Sequence, residues 1–200
     1  MKNYFRIQLL KFVGWFAKNV LNYLGNPLTH HYITSKDYRS LKEVFMPGTV
    51  LLTRTKAEVT NLVIPGFFKH AAIVVNENEV TEAAGNGVVR TDLIDFLMAK
   101  DYVIALKPKF ATKAQMKKAA EIATQQEGKP YDFDIIMSDI EKFYCFELVY
   151  FSYAEAVENM PFVPREIMGR DTIISSDFIN ASDKWEVFWA SKSVLGKEIY

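Results

Sequence analysis

The stretch that decides the fold is KFYCFELV, residues 142–149, which opens the apolar segment 143–157. Its apolar spacing predicts a helix with Cys145 in the first turn. The unpaired N–H groups and the dipole at a helix N-terminus favour a thiolate there. Cys145 is the one cysteine of the chain, so no intramolecular disulfide can form. The stretch therefore predicts either a reactive cysteine or, as is usual for a cysteine among aromatic side chains, a small core residue.

A histidine and a glutamate lie upstream of this helix in positions that suit partners for the thiol. His70 opens a predicted buried strand, 70–75, and Glu82 lies on the next one, 79–83. In a tight antiparallel pair joined near residues 76–78, Glu82 can lie beside His70. A catalytic thiol needs a base that shuttles its proton and a polar group that orients the base. The alternatives are a structural histidine and an exposed carboxylate, and spacing alone leaves them open.

The remaining segments predict an α+β architecture, in which a run of mostly antiparallel strands lies between helices. Turn signals separate the strands at Pro47-Gly48, 76–78 and Gly85-Asn86-Gly87. Helix caps are predicted at Ser35, Thr91 and Thr112. The predicted helices are 36–45, a short one after Thr91, 112–127, 143–157 and 175–180. The predicted strands are 49–54, 70–75, 79–83, 88–90, 102–107 and 185–189.

The N-terminus differs from the rest in charge. Residues 1–35 contain no acidic side chain and these basic ones: Lys2, Arg6, Lys11 and Lys18. Residues 4–24 predict an amphipathic helix with these cations broadly on one side. We therefore expect an N-terminal helical appendage, residues 1–45, ahead of one domain, residues 46–200. The helix 4–24 either lies on a membrane surface or packs on the domain.

Composition narrows the classes of partner. The chain has 24 Lys and Arg against 24 Asp and Glu, and this zero net charge argues against nucleic acid as the main partner. No stretch has the uninterrupted apolar length of a membrane span. No grouping of His, Asp and Glu has metal-ligand spacing, so no metal site and no cofactor are expected. A single cysteine fits a reducing compartment, which predicts a cytoplasmic protein, with peripheral membrane contact through residues 4–24 as a second expectation.

A series of motifs in a fixed order resembles the YiiX/YebB-like branch of the permuted NlpC-type papain-like hydrolases. The resemblance runs from about residue 46 to about residue 155. Each motif by itself is weak, but the order is specific. The motifs are Pro47-Gly48-Thr49, Phe67-Phe68-Lys69-His70-Ala71-Ala72-Ile73, Val80-Thr81-Glu82-Ala83, Gly87-Val88, Gly128-Lys129-Pro130-Tyr131-Asp132 and Tyr144-Cys145-Phe146-Glu147-Leu148.

The resemblance implies a fold and a set of catalytic residues. The fold is a circularly permuted papain-like one, with a small antiparallel sheet packed on the cysteine-bearing helix. Cys145 is implied as nucleophile, His70 as base and Glu82 as third polar residue, with the histidine ahead of the cysteine in the chain. The backbone N–H of Cys145 is an expected oxyanion donor. Phe146 stands where the family usually has serine, which bears on substrate preference.

The resemblance implies a cysteine hydrolase or acyltransferase. Its implied substrate has an amide, ester or thioester bond, in a cell-wall peptide or a fatty-acyl compound. The apolar loop 62–68 and the basic helix 4–24 favour an acylated, lipid-like substrate. Substrate contacts are predicted at Tyr131, Phe68 and Phe146. The alternatives are a loop that only fills the core, and a Tyr131-Asp132 pair that only fixes a turn. A catalytically silent module that binds a lipid or fatty-acyl group is the competing function.

Overall fold

The computed structural model describes residues 32–56, 65–135, 137, 140–167, 169–195 and 197. Within them a six-stranded sheet has the order β4-β3-β2-β1-β5-β8, and each neighbouring pair is antiparallel. Its strands are β1 (Val50–Arg54), β2 (His70–Val74), β3 (Glu79–Ala84), β4 (Gly87–Asp92), β5 (Tyr102–Pro108) and β8 (Trp185–Ala190). A separate short hairpin pairs β6 (Arg165–Glu166) with β7 (Asp171–Thr172).

The helices lie between and after these strands. They are α1 (Ser35–Lys42), α2 (Leu93–Met98), α3 (Lys113–Gln125), α4 (Cys145–Ala156) and α5 (Ser175–Ile179), followed by a 3-10 turn, Lys192–Val194. No helix in the described ranges is long and apolar enough to cross a membrane.

Successive side chains of a strand point to opposite faces of the sheet. Here both sets are apolar, and helices pack on both faces. One face carries Val50, Leu52, Ala71 and Ile73, which pack with residues of α3 and α4 into the larger core cluster. The opposite face packs with α1 and α2 into a second cluster; its strand residues are Leu51, Ala72, Val74, Val80, Val103 and Ala105. The central strands therefore read as nearly continuous apolar runs.

Close backbone approaches require glycine at two turns. Gly48 has φ +90°, and a Cβ there would lie 2.4 Å from the carbonyl oxygen of Met116 in α3. Gly87 has φ +107°, and a Cβ there would lie 2.5 Å from the carbonyl oxygen of Lys129. Because glycine alone adopts such φ values without strain, these turns let α3 and the segment after it lie directly on the sheet's loops.

The predicted α+β class and the sheet packed on the cysteine-bearing helix are confirmed. Two caps were wrong: Thr34, not Ser35, caps α1 by accepting the Asp37 N–H, and Asp92, not Thr91, caps α2 by accepting the Ile94 and Asp95 N–H groups. In each case the residue beside the predicted one has a side-chain oxygen and a non-helical backbone, as a cap requires.

Three predictions about the N-terminal helix, the apolar loop and the domain division are not tested by the described residues. The amphipathic helix 4–24 and the start of the loop 62–68 lie outside the described residues. Helix α1, inside the predicted appendage, packs on the second core cluster through Leu41. Its Asp37 accepts the Lys192 N–H at 3.0 Å. The division into residues 1–45 and 46–200 stays a prediction.

Candidate active site

Cys145 is the first residue of α4. The backbone of Phe143 is held in front of the helix, because its N–H donates to Pro130 O at 3.1 Å and its carbonyl accepts the Asp132 N–H at 3.0 Å. Tyr144 is extended, and its N–H donates to the Glu147 carboxylate at 3.4 Å across the first turn. The Cys145 thiol therefore lies at the helix end whose first N–H groups have no acceptor within the helix.

The thiol faces the beginning of β2. Cys145 Sγ lies 3.9 Å from the carbonyl oxygen of Lys69, the residue before His70. Cys145 is 1% exposed, so the thiol is covered in this conformation. This contact joins residues 76 positions apart in the chain, because α4 packs against β2 and β3.

His70 and Glu82 form a buried pair at the end of the sheet. His70 Nε2 lies 2.6 Å from Glu82 Oε2, and their side chains are 14% and 10% exposed. The β2–β3 register pairs Ala72 with Glu82, so His70 is the diagonal neighbour of Glu82 on the same face. The register thus brings His70 and Glu82 close together, as the sequence predicted.

The electrostatics of the pair follow from its burial and its partners. Burial by itself lowers the pKa of His70, but hydrogen bonds to Cys145 and Glu82 outweigh it and raise that pKa to about 9. Burial raises the pKa of Glu82, but the hydrogen bond and charge of His70 outweigh it and lower that pKa to about 2. Each partner thus favours the charged form of the other. Near neutral pH the pair is an imidazolium and a carboxylate.

Lys100 is a further cation beside this pair. Its ammonium group lies 4.9 Å from the centre of the Phe96 ring, and the Phe96 and His70 rings are 6.1 Å apart. Its charge lowers the pKa of both His70 and Glu82, in each case less than the contacts within the pair do.

A residue that the sequence analysis missed completes the surroundings of Glu82. Thr91 Oγ1 donates to Glu82 Oε1 at 2.7 Å, so each carboxylate oxygen has its own donor. Thr91 was expected to cap a helix, but it lies in β4, on the same face as Glu82 and diagonal to it. The alternation of side chains along β4 is the signal that could have revealed this contact, given the register.

The three predicted substrate contacts have different surroundings. Phe68 is fully buried and Phe146 is 1% exposed, both in the larger core cluster. Tyr131 is half-buried and packs edge-on against Phe133, with ring centres 4.8 Å apart. Its backbone forms a bridge with Phe143 ahead of α4. Substrate contact at these positions stays a prediction.

The C-terminal part of the chain packs against both neighbours of Cys145. The Ile173 N–H donates to the Tyr144 hydroxyl at 2.8 Å. Burial raises the pKa of the Tyr144 phenol, so it stays neutral at physiological pH. The Phe146 and Phe178 rings are 6.0 Å apart. No motif had drawn attention to this region, because its contribution consists of packing and backbone hydrogen bonds.

A second buried carboxylate lies nearby. Asp132 is fully buried; its Oδ1 accepts the Asp134 N–H at 2.9 Å and lies 3.0 Å from Lys142 Nζ. The hydrogen bond to Asp132 raises the pKa of Lys142. This arrangement ties the turn after Pro130 to the segment that leads into α4.

In the described part of the chain, no group of three or more His, Cys, Asp or Glu side chains is arranged to hold a metal ion. The candidate site brings together a thiol, an imidazole, a carboxylate and a hydroxyl.

Comparison with known proteins gives one family and one fold. A family model described as a permuted papain-like amidase enzyme of the YaeF/YiiX, C92 family matches residues 44–200. A solved structure, described as the metalloprotein yiiX from Escherichia coli O157:H7, aligns with a TM-score of 0.51 and 22% identity. The alignment covers 60% of this chain and 69% of that one, and at this identity it shows a shared fold. No curated protein matches the chain.

Proposed function

The chain belongs to the C92 family of permuted papain-like amidases, and from that premise we propose that it is a cysteine hydrolase acting through Cys145, His70 and Glu82. The observation that carries the proposal is the 2.6 Å contact between His70 Nε2 and Glu82 Oε2, beside a thiol at the start of a helix. A structural histidine needs neither a buried carboxylate nor a thiol as its partner. A catalytic one uses both.

The protonation of the imidazole suits this role. Glu82 occupies Nε2, which leaves Nδ1 as the nitrogen that exchanges a proton with the Cys145 thiol. The raised pKa of His70 favours the imidazolium, and an adjacent imidazolium favours the thiolate. The resting state in this proposal is an ion pair of Cys145 thiolate and His70 imidazolium.

The first half of the reaction transfers the acyl group to sulfur. The Cys145 thiolate attacks the carbonyl carbon, a C–S bond forms and the carbonyl electrons move to oxygen. The N–H groups in the first turn of α4 stabilise this oxyanion. The intermediate then collapses: His70 Nδ1–H protonates the leaving nitrogen, oxygen or sulfur as its bond to carbon breaks. The products are a thioester on Cys145 and a free amine, alcohol or thiol.

The second half returns the enzyme to its resting state. His70 Nδ1 now accepts a proton from water, whose oxygen attacks the thioester carbon. The second oxyanion collapses with cleavage of the C–S bond, which releases a carboxylic acid and the Cys145 thiolate. Glu82 accepts the Nε2–H bond throughout, and this fixes the tautomer and orientation of the imidazole.

The proposed substrate is an amide, ester or thioester with an apolar acyl group, and a cell-wall peptide is the other candidate. The support is the aromatic segment ahead of His70, where Phe67 is half-buried against Phe68 and Tyr102, with ring centres 5.0 and 5.3 Å away. Contact of Tyr131, Phe68 and Phe146 with substrate belongs to the same proposal, as does peripheral membrane contact of a cytoplasmic protein through residues 4–24.

The test is turnover together with capture of the intermediate. Wild type and Cys145→Ala are assayed against chromogenic amides and esters of short and long acyl acids and against cell-wall peptides. We expect turnover in wild type alone, and a mass increase of one acyl group on Cys145 when turnover is quenched in acid. Equal turnover in Cys145→Ala contradicts the proposal, and circular dichroism verifies that this variant is folded.

A non-catalytic acyl-binding module is the second candidate, and the burial of Cys145 is the observation that favours it. That function predicts no turnover with any substrate of the panel. It also predicts a lipid that co-purifies equally with wild type and Cys145→Ala, which extraction and mass spectrometry would detect.

A further inference from the structure

We propose that Thr91 is a positioning residue: its hydroxyl holds the Glu82 carboxylate in the orientation in which the other oxygen meets His70. This inference rests on the proposed function of that site. Thr91 touches neither the thiol nor the imidazole in the described contacts, so it acts through Glu82.

The geometry assigns one donor to each oxygen of Glu82. Oε2 meets His70 Nε2 at 2.6 Å, and Oε1 accepts the Thr91 hydroxyl at 2.7 Å. Rotation of the carboxylate about its last bond would break both contacts together. A terminal torsion of this kind has broad minima and does not fix itself. The two donors on opposite oxygens therefore determine the plane of the carboxylate.

Thr91 is itself held by the backbone on both sides. The β3–β4 register pairs Thr91 with Val80 and Glu82 with Val89, which places Thr91 and Glu82 diagonally on one face. Leu93, two residues after Thr91 and the first residue of α2, donates its N–H to Asn78 O at 2.7 Å. Threonine is branched at Cβ, so its side-chain torsion is also restricted. The hydroxyl is thus a rigid donor on a rigid strand.

The neighbouring hydroxyls show that this contact is specific. Thr53 in β1 and Thr81 in β3 have buried Oγ1 atoms without a hydrogen-bond partner. Thr81 is fully buried on the same strand as Glu82, one residue before it and therefore on the opposite face. A hydroxyl in this sheet does not find a partner by default, whereas that of Thr91 meets the carboxylate of the site.

The chemical consequence concerns the charge state of the pair. A hydroxyl donor stabilises an ionised carboxylate, and an ionised, correctly oriented Glu82 stabilises the His70 imidazolium. Within the described residues, the titratable groups that act on the imidazole are Cys145 from α4, Glu82 from β3 and Lys100 after α2. Lys100 opposes the imidazolium, whereas the hydrogen bonds to Cys145 and Glu82 favour it, so a well-oriented Glu82 helps to retain the proton.

The experiment compares Thr91→Val, Thr91→Ser and the control Thr81→Val. The first removes the donor and keeps the shape, the second restores a hydroxyl, and the third removes a hydroxyl that has no partner. The imidazole of His70 is followed by NMR across pH; the chain has three histidines, and His70→Asn assigns the signal. Kinetic constants are measured with whichever substrate is turned over.

We expect the pKa of His70 to fall by about 0.5 to 1 unit in Thr91→Val, because a hydrogen bond to a charged group is lost. We expect kcat to fall about tenfold with KM unchanged, since Thr91 does not touch substrate. Thr91→Ser should recover most of both, and Thr81→Val should match wild type. If Thr91→Val does not fold, Thr91→Ala gives the same comparison.

The proposal is overturned if Thr91→Val titrates and turns over like wild type, or if Thr81→Val loses as much. It is also overturned if Thr91→Ser is no better than Thr91→Val. The NMR titration needs no substrate, so it decides the role of Thr91 even if wild type hydrolyses nothing. Failure of the proposed hydrolase function would appear separately, as absence of turnover in wild type.

Discussion

Glu82 and Asp132 are both buried carboxylates in contact with a cation, yet the two pairs differ in what the cation can do. Glu82 meets His70, whose side chain is 14% exposed and whose pKa of about 9 lies within reach of neutral pH. Asp132 meets Lys142, whose side chain is 29% exposed and whose pKa is raised further above its usual range. The imidazolium of the first pair can give up its proton near neutral pH, whereas the ammonium of the second keeps its proton there. This difference supports the proposed catalytic role of the first pair and a structural role for the second.

The largest expected effect is on the reactivity of the thiol. In His70→Asn we expect alkylation of Cys145 by iodoacetamide at pH 6 to be about 10²-fold slower, because a free thiol is almost wholly protonated there. Lys142→Met should react like wild type, since its cation pairs with Asp132. The measurement is the rate of modification against pH by mass spectrometry. A similar loss of alkylation rate in both variants would contradict the proposed difference between the two pairs.

The next effect is on turnover. Glu82→Gln should lower kcat by about 10²-fold, because the amide no longer stabilises the imidazolium that protonates the leaving group. Asp132→Asn should leave kcat close to that of wild type. Steady-state kinetics of the two isosteric variants measure this directly. A larger loss of kcat in Asp132→Asn than in Glu82→Gln would contradict the proposed role of Glu82.

Asp132→Asn should instead affect stability. We expect the free energy of unfolding in urea to fall by about 1–3 kcal/mol, because a buried charged hydrogen bond to Lys142 is weakened. In a double-mutant cycle with Lys142→Met, the two losses should not add, since the residues share one interaction. Additive losses would mean that the contact does not stabilise the turn ahead of α4.

The smallest effect is the pH dependence of stability. The folded pKa of His70, about 9, exceeds its ordinary value of 6.5, so its contribution is complete below pH 6.5 and is lost as pH rises through about 9. Glu82 contributes fully above pH 4.5 and loses this as pH falls towards about 2. The difference in unfolding free energy between wild type and His70→Asn should therefore shrink from pH 6 to pH 9.5. A difference that is constant or grows over that range contradicts the stabilised imidazolium.

Much of the site could be predicted from local patterns. A helix that begins at Cys145, a strand that begins at His70 and a neighbouring strand with Glu82 are all short-range features. Turn signals and side-chain alternation identify them. The role of Thr91 could not be predicted, because it depends on the β3–β4 register, and a shift of one residue would turn its hydroxyl to the other face.

The burial of the predicted substrate contacts could not be predicted from local patterns either. An aromatic segment ahead of His70 indicates an apolar environment, but the pattern does not tell a cleft wall from a core. In the structure Phe68 and Phe146 lie in the larger core cluster, and the Phe146 ring lies 6.0 Å from the ring of Phe178 in α5. Which apolar side chains face solvent therefore depends on contacts between elements that are separate in the chain.

The sequence by itself determined the residue types with catalytic chemistry, their order along the chain and the elements that carry them. Those features depend on backbone propensity and periodicity within a few residues. Only the tertiary structure decided that His70 and Glu82, from one face of the sheet, meet a thiol from a helix packed on the other face. It also decided that the Thr91 hydroxyl donates to the second oxygen of the Glu82 carboxylate. These contacts join distant segments, and the packing of α4 on the sheet and the strand register bring them together.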